Sequence, residues 1–292
     1  MDDAKYALHD AYQTCMALTR RHYENFPVAS ILLPAHLRKP ISVIYAFART
    51  ADDFADEDNL SDQERLAKLE AYYAELDNIE QGKAVTQPLF LALADVIQMH
   101  DLSIANFRHL LDAFKQDVSQ KRYRNFHEVH DYCSKSANPV GRIILELYKQ
   151  ATPENIIDSD RICTALQLIN FYQDIVQDFT ENNRIYLPLE SLQNTDIAVK
   201  DFMAYITSDD AISHLYHFYH EAEQLMIQGS PLALRLPGRL GFEIRMTVWS
   251  GLAILQKLKL RGSNIALRPR LKRRDWLAIL YKSLARTKPV TV

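Results

Sequence analysis

The chain has 292 residues, long enough for one large domain or two small ones, and either could bury a sizeable core. Only 7 residues are glycine, well below the usual share of ~7%, while Ala, Leu, Lys, Glu and Gln are plentiful, so we predict an all-α fold. The net charge of −3 is unremarkable as a total, and the three widely spaced cysteines suggest neither a disulfide framework nor a thiolate zinc site.

The predicted helices follow one another along the chain, separated by short polar segments. The first runs over 3–24 and the second over 40–58, and Ser61 with Glu64 forms a capping box that opens the third. Further helices are expected to begin at Gln87, Ser103, Asn125, Asp158, Ala198, Ser208, Gly241 and Lys272. The stretch 184–188 ends in a proline, which cannot donate to a sheet, so we interpret it as a connector. One domain over 1–292 is the simplest organisation.

The N-terminal segment does not have the pattern of a secretory signal, a basic region followed by an apolar one. No stretch reaches the ~18 apolar residues of a membrane span. We therefore expect a cytoplasmic protein, with the inner face of the membrane as a candidate for peripheral contact.

Two Asp-x-x-x-Asp motifs carry the strongest chemical signal: Asp52 with Asp56 in one predicted helix, and Asp174 with Asp178 in another. The i,i+4 spacing puts both carboxylates of a pair on one helix face, where they repel each other by roughly a few tenths of a kcal/mol. Mg²⁺ offsets such repulsion, because it binds one or two carboxylates together with phosphate oxygens and water. Two such faces opposed across a helical bundle would bind Mg²⁺-diphosphate. Either motif alone is more often a solvated face.

Polar side chains accompany both motifs within otherwise apolar helices. Tyr45 and Arg49 precede the first motif, and Gln167 and Asn170 lie on the same predicted helix face as the second. A polar stripe inside a bundle suits a functional site better than a core, because buried polar groups need partners. The two motifs together therefore favour a site over solvated surface.

From about residue 21 to residue 257 the chain resembles the squalene/phytoene synthase family, most specifically from Leu166 through the second motif to Pro188. The resemblance implies a single α-helical bundle with a central active-site channel. It implies that the catalytic set contains Tyr45, Arg49 and the four aspartates Asp52, Asp56, Asp174 and Asp178, which hold several Mg²⁺ ions. It also implies that Arg49 contacts the diphosphate and that the substrate pocket includes Gln167, Asn170, Arg184 and Tyr186.

Within the family, the segments 24–30, 48–53 and 136–142 resemble the hydroxysqualene synthase branch of bacterial hopanoid pathways. In the last segment Asn138 and Pro139 replace the small pair of most relatives, which speaks against the coupling of two farnesyl diphosphates. Pro139 removes an amide donor and can kink a helix, so that Asn138 lines a cavity. A kink without catalytic meaning is an equal alternative.

The resemblance implies that presqualene diphosphate ionises with the help of Mg²⁺, and that water captures the rearranged cation as hydroxysqualene. Asn138 or Tyr172 is expected to hold that water. No NADPH is expected, because hydride delivery belongs to relatives that make squalene. Alternatives with the same fold are presqualene diphosphate, dehydrosqualene and phytoene synthases. An alternative of another class is a noncatalytic, membrane-associated helical scaffold.

The segment 257–288 carries 11 basic residues and one acidic residue, whereas the rest of the chain has a net charge of −13. This asymmetry predicts an anionic partner, either diphosphate or a membrane surface, and a solvated helix face is an equal alternative. Leu271, Trp276, Ile279 and Leu280 stand between the charges, as on a face that packs on protein or lipid. Nucleic acid is not expected as a partner, and functional coupling with other squalene-pathway enzymes is a candidate interaction.

Overall fold

A computed structural model gives the structure of the chain and describes residues 2–21, 34–57, 59–192, 202–203 and 206–289. Helices dominate the described residues, which confirms the predicted all-α fold. The helices are α1 (Asp2–Arg21), α2 (Ala35–Ala55), α3 (Asp62–Glu80), α4 (Pro88–His100), α5 (Ile104–Ser119), α6 (Phe126–Ser136), α7 (Asn138–Leu147), α8 (Pro153–Asn182), α9 (Asp209–Gly229), α10 (Leu232–Arg235), α11 (Gly238–Arg261) and α12 (Arg273–Leu284).

The described residues group into two compact units. Unit 1 draws on Met1–Ser119 and Ile143–Gln150, and unit 2 draws on Gln120–Arg142 and Ala151–Val292. The first aspartate motif therefore belongs to unit 1 and the second to unit 2. One domain over 1–292 stays a prediction.

Unit 1 packs its helices around a cluster of aromatic rings. Phe47 of α2 contacts Phe90 and Phe107 edge to face, with ring centroids 6.2 and 5.5 Å apart, and contacts Tyr72 at 5.7 Å. Phe47, Phe90 and Phe107 are completely buried. Burial of one such ring contributes about 1.5–3 kcal/mol of transfer free energy. This packing fixes the orientation of α2 two residues before Arg49.

The helix starts follow from side-chain caps. At α3 the Ser61 hydroxyl accepts a hydrogen bond from the Glu64 amide at 3.3 Å, and the Glu64 carboxylate accepts one from the Ser61 amide at 2.9 Å. The predicted capping box is thus confirmed. Asn125 and Ser208 cap α6 and α9 in a similar way, by accepting from the backbone amide three residues later.

Helix α8 is the longest element of unit 2, with 30 residues. It begins at Pro153 instead of the predicted Asp158, because Thr152 caps the first turn by accepting from the Asn155 amide. Helix α7 approaches it closely at Gly141. A Cβ atom at that position would lie 2.3 Å from Ser159 Oγ and 2.6 Å from Cys163 Sγ. The absence of a side chain at this glycine permits the close approach.

The stretch interpreted as a connector is instead a short strand, β2 (Ile185–Pro188), which pairs in parallel with β1 (Arg122–Tyr123). The interpretation was wrong because the proline stands at the last position of the strand, where a missing amide costs little. Arg122 pairs with Ile185 and Tyr123 with Pro188, so the register is irregular. A 3₁₀ turn over Leu189–Leu192 follows.

Other helix boundaries differ by a few residues from the prediction. Helix α2 begins at Ala35 and includes Pro40, and it ends at Ala55, before the predicted end at 58. Helix α11 begins at Gly238, three residues before the predicted start. The helix expected from Ala198 and the segment 24–30 lie outside the described residues. Within the described part of the chain, no helix is long and apolar enough to cross a bilayer.

Candidate active site

The first motif lies at the C-terminal end of α2. Arg49 pairs with both following aspartates: its Nη2 lies 2.5 Å from Asp53 Oδ1 and its Nη1 lies 3.6 Å from Asp52 Oδ2. Tyr45 precedes Arg49 by one helical turn and is partly exposed. Asp56 lies just outside the helix as its C-cap, with its amide donating to the Asp52 carbonyl at 3.2 Å. This bond keeps the helical relationship between Asp52 and Asp56.

The Asp52 carboxyl is electrostatically strained. Burial raises its pKa to about 6, and the negative charges of Asp56, Asp117 and Asp53 add to the effect, while Arg49 opposes it. The Asp52 side chain keeps 39% of its surface exposed, so its carboxyl group is crowded by protein but still reachable from solvent. A cation beside this carboxylate would relieve the repulsion.

Asp117 is a member of this acidic cluster that the sequence reasoning missed. It lies on α5 and is 5% exposed. The signal was present in the sequence, because Asp117 continues the apolar stripe of α5 formed by Leu110 and Ala113. A carboxylate at a core-facing position is rare without a partner or function.

The second motif extends along one face of α8, as predicted. The four polar residues of this face differ in exposure: Asn170 is exposed, Gln167 and Asp178 are partly buried, and Asp174 is buried. Along the face, Asn170 is the most exposed member and Asp174 is the most enclosed one. The roles of these residues stay predictions.

Arg268 is the partner of Asp174, and the sequence reasoning did not include it. Its Nη2 donates to Asp174 Oδ2 at 2.8 Å, and its Nε lies 2.5 Å from Asp174 Oδ1. Burial raises the pKa of Asp174, and the Arg268 charge opposes that rise. The segment that carries Arg268 is fixed on α8, because the Gln173 side chain donates to the Pro269 carbonyl at 2.8 Å. Arg268 precedes Pro269 by one residue, so this bond holds it beside Asp174.

Arg184 and Tyr186 lie beside the second motif because the chain turns sharply after α8. Asn183 adopts a left-handed conformation with φ 51° and ends the helix, and the Arg184 amide then donates to the Asp178 carbonyl at 2.9 Å. Asp178, Arg184, Tyr186 and Phe171 line one small cavity. The rings of Phe171 and Tyr186 stack there with centroids 3.9 Å apart. Unit 2 thus brings three predicted site residues together.

The remaining two predicted residues take different positions. Asn138 is buried at the start of α7, where its Oδ1 accepts from the Thr164 hydroxyl at 3.0 Å. Its side-chain carbonyl therefore ties α7 to α8. Tyr172 is 1% exposed and packs on Tyr219 of α9, with ring centroids 5.5 Å apart. Its hydroxyl has no hydrogen-bond partner among the described residues, and burial raises its pKa well above the ordinary value.

The donor groups of both motifs fit a hard divalent cation. Carboxylate oxygens are the ligands that Mg²⁺ prefers, usually one or two per ion beside phosphate and water. The Arg268 guanidinium engages both oxygens of the Asp174 carboxylate, so a cation would share this carboxylate with Arg268 or displace the guanidinium. The described residues contain no group of three or more His, Cys, Asp or Glu side chains arranged around a metal position. Protein carboxylates here could supply only part of a coordination shell.

Comparison with known proteins identifies the family. A family model described as squalene/phytoene synthase matches residues 19–276, which include both aspartate motifs. The chain belongs to the squalene/phytoene synthase family. Members of this family are enzymes that process isoprenoid diphosphates, so the resemblance seen in the sequence is confirmed.

Individual members of the squalene/phytoene synthase family add detail. A hydroxysqualene synthase of Sinorhizobium fredii is 33% identical over 82% of this chain and 80% of its own length. A hydroxysqualene synthase of Zymomonas mobilis subsp. mobilis is 41% identical, but the match covers 58% of this chain and 56% of that relative. The crystal structure of a squalene synthase from Alicyclobacillus acidocaldarius superposes with a TM-score of 0.80 at 35% identity, covering 88% of this chain and 96% of the other.

Proposed function

We propose that the chain is a hydroxysqualene synthase, which converts presqualene diphosphate and water to hydroxysqualene and diphosphate. The observation that carries the proposal is the family match over 19–276, together with relatives of that activity at 33% and 41% identity. The crowded carboxylate of Asp52 and the enclosed carboxylate of Asp174 support it, because carboxylates suit a diphosphate bound through divalent cations.

The four aspartates Asp52, Asp56, Asp174 and Asp178 would hold Mg²⁺, which when bound neutralises the charge that develops on the leaving diphosphate. Arg49 would add to that neutralisation from α2, since its Nε is buried and has no hydrogen-bond partner among the described residues. Arg184 would act in the same way from the turn after α8, beside Asp178. Charged groups that are held in place before the substrate arrives would stabilise the transition state electrostatically.

The reaction starts when the carbon–oxygen bond to diphosphate breaks and its electron pair leaves with the phosphate oxygen. The resulting cyclopropylcarbinyl cation rearranges, and the stacked rings of Phe171 and Tyr186 offer π faces beside Asp178 and Arg184. An aromatic face stabilises a desolvated cation by about 2 kcal/mol or more. Water then attacks the cation through its oxygen, and loss of one proton gives the neutral alcohol.

Tyr172 is the better supported of the two candidates for holding the attacking water. Its hydroxyl is buried and lacks a partner among the described residues, whereas Asn138 Oδ1 already accepts from Thr164. A buried hydroxyl with free hydrogen-bonding capacity is a suitable ligand for one ordered water. The assignment concerns the quenching step and not the ionisation.

Isotope labelling tests the proposed reaction. The protein is incubated with Mg²⁺ and presqualene diphosphate in ¹⁸O-labelled water, without a nicotinamide cofactor, and the product is identified by mass spectrometry. We expect hydroxysqualene that carries the solvent oxygen, and no diversion to squalene when NADPH is added. Squalene as the main product with NADPH, or efficient coupling of two farnesyl diphosphates, would instead identify another branch of the family. Failure to bind Mg²⁺-diphosphate at all would favour the noncatalytic scaffold.

The substrate and product of this reaction carry long hydrocarbon chains that partition into lipid. We therefore propose peripheral contact with the inner face of the membrane through the basic segment 257–288, in a protein that works in the cytoplasm. Functional coupling with the enzymes that supply presqualene diphosphate or consume the alcohol would follow from a shared membrane surface.

A further inference from the structure

Helix α12 has two different faces. Ile279 and Ser283 are buried. Large side chains cover the adjoining side and are exposed by 39–72%: Trp276, Leu277, Leu280, Tyr281 and Leu284. Their spacing of i, i+1, i+4, i+5 and i+8 places them on one continuous stripe of the helix. These five residues form the docking face. On an ordinary protein surface, exposed apolar side chains are scattered singly and do not form a continuous stripe of this size.

Contacts outside the docking face hold the helix in place. Asp275 accepts from the Lys272 amide at 2.6 Å and forms an ion pair with Lys257 at 2.9 Å, which fixes the first turn. Near the other end, Lys282 Nζ lies 4.3 Å from the ring centroid of Trp249 on α11. These contacts attach α12 to unit 2, while Leu277, Tyr281 and Leu284 of the docking face stay 65–72% exposed.

Basic side chains border the docking face. Arg273 precedes Trp276 and Leu277 by three and four positions, so it lies on the same side of the helix. Arg270, Lys272 and Arg274 are also exposed at this end. Asp275 is the one acidic residue of 257–288, and Lys257 already pairs with it. The surface thus combines an apolar stripe with an excess of positive charge from its own segment.

We propose that the docking face inserts into the interfacial region of an anionic membrane, with Arg270, Lys272, Arg273 and Arg274 on lipid phosphates. An apolar stripe alone would equally suit a second protein, but the adjoining cations select a partner that is apolar inside and anionic at its surface. A bilayer with anionic headgroups has both properties. This inference rests on the membrane contact proposed above and identifies the residues that make it.

The surface continues towards the second motif. A shallow groove of about 360 Å³ is lined by Leu260, Leu267, Pro269, Arg270 and Lys272. Leu260 and Leu267 are 79% and 53% exposed. Arg268, the partner of Asp174, lines the same groove. A membrane bound at the docking face would therefore lie next to the residues that surround Asp174, where a lipid-soluble substrate is needed.

Vesicle co-sedimentation tests the proposal. The full chain is mixed at low salt with phosphatidylcholine vesicles that contain phosphatidylglycerol, and with vesicles of phosphatidylcholine alone. We expect binding to the anionic vesicles, weakened by added salt. Leu277→Ser with Leu280→Ser and Leu284→Ser should lower the partition coefficient by about tenfold or more. Met99→Ser with Ile157→Ser is the matched control, because it replaces exposed apolar residues elsewhere on the protein. It should leave binding unchanged.

The contribution of the basic side chains beside the docking face is tested separately. Arg273→Gln with Arg274→Gln should weaken binding to anionic vesicles by about thirtyfold. The control pair Lys39→Gln with Lys83→Gln, at exposed positions elsewhere, should leave binding unchanged.

Tryptophan fluorescence reports insertion of the docking face. In a Trp249→Phe background Trp276 is the one tryptophan left. Its emission should shift to shorter wavelength on vesicle addition and be quenched by brominated lipid. Circular dichroism of every variant shows that the helices are retained.

Absence of binding to anionic vesicles at low salt, or equal binding of the docking-face and control variants, overturns the proposal. A parent that sediments as a dimer and a triple serine variant that sediments as a monomer would assign the face to a second copy of the chain. Turnover of detergent-dispersed presqualene diphosphate is measured in the same variants and should be unchanged. Active protein without vesicle binding thus refutes the docking face alone, whereas inactive parent protein refutes the proposed function.

Discussion

Arg268 forms an ion pair with Asp174 across 94 positions of sequence, with Nη2 2.8 Å from Oδ2 and Nε 2.5 Å from Oδ1. The Asp174 side chain is 8% exposed, while that of Arg268 is 45% exposed. Without the guanidinium, a nearly buried carboxylate would lose its main compensating charge. The second aspartate motif therefore depends on a residue of the basic segment even before any ligand binds.

Removal of this ion pair should destabilise the protein. We expect Arg268→Gln to lower the free energy of unfolding by about 1–2 kcal/mol, below the cost of breaking a fully buried pair because the arginine is partly exposed. Arg270→Gln, an exposed charge two residues away, should change it by less than about 0.5 kcal/mol. Urea denaturation at neutral pH without divalent cations measures both. Equal effects of the two substitutions would contradict a specific role of Arg268.

The raised pKa of Asp52 makes stability depend on pH. Its folded-state pKa of about 6 exceeds the value of 3.8 for an unperturbed aspartate, so the folded state binds the proton more tightly than the unfolded state. Stability from this group is greatest below the unfolded pKa and is lost as pH rises through 6. Asp52→Asn cannot ionise at this position, so it removes the loss of stability that accompanies the rise in pH. Its gain in unfolding free energy over the parent should grow between pH 4 and pH 7, by about 1 kcal/mol after allowance for partial exposure.

Addition of Mg²⁺ with inorganic diphosphate provides the control for that measurement. The ligand favours the ionised carboxylate, so at neutral pH it should stabilise the parent more than Asp52→Asn. A difference between the two proteins that is constant from pH 4 to pH 7 without ligand would show that Asp52 is not strained.

Each of the four motif aspartates should be required for turnover. We expect Asp52→Asn, Asp56→Asn, Asp174→Asn and Asp178→Asn each to lower the rate by about a hundredfold or more, because each removes charge that would bind the cations. The circular dichroism spectrum should not change. Steady-state assays with presqualene diphosphate measure the effect, and full activity in any two variants rules out the assigned Mg²⁺ ligands.

Loss of the Tyr172 hydroxyl should alter the product more than the fold. Tyr172→Phe removes a buried group without a partner among the described residues, so stability should be unchanged or higher by about 1 kcal/mol. The share of alcohol among the products should fall. Tyr219→Phe is the matched control, because its hydroxyl accepts from Arg261 at 3.1 Å and its loss should cost stability without changing the product ratio. An unchanged product ratio in Tyr172→Phe would exclude Tyr172 from the quenching step.

The contact between α7 and α8 should not tolerate a methyl group at Gly141. We expect Gly141→Ala to lower stability by about 1–3 kcal/mol, since the new Cβ would lie 2.3 Å from Ser159 Oγ. Gly251→Ala is a matched helical control. Its nearest neighbour at 2.7 Å is the terminal methyl of Met226, which can move aside, so the cost should be smaller. Thermal unfolding of both variants decides whether the glycine is structural.

The sequence was sufficient for features that depend on local chemistry. Scarce glycine predicted the helical fold, and Ser61 with Glu64 predicted a helix start, because capping involves groups only three residues apart. The motif aspartates were recognised by their spacing on a single helix. The placement of Gln167 and Asn170 on the same face of α8 follows from the same periodicity.

Features that depend on distant segments were not predicted. Arg268 reaches Asp174 from 94 residues away, and nothing local to either residue indicates the contact. The pairing of β1 with β2 joins segments separated by α6, α7 and α8, and it overrode the proline signal at 188. On α12 the sequence grouped Ile279 with Trp276 and Leu280. Only packing against the rest of unit 2 shows that Ile279 is buried while the other two are exposed.

Because α2 ends at Ala55, the two carboxylates of the first motif differ in how firmly their backbone is held. Asp52 belongs to the rigid helix, so it can follow a bound ion only through its side-chain torsions. Asp56 lies beyond the last helical residue, with φ −103° and ψ 4°, and the hydrogen bond from its amide to the Asp52 carbonyl ties it to the final turn. The pair would therefore offer a bound cation one carboxylate inside the helix and one at its end. A helix prolonged by one turn would keep both carboxylates but would hold the second as firmly as the first.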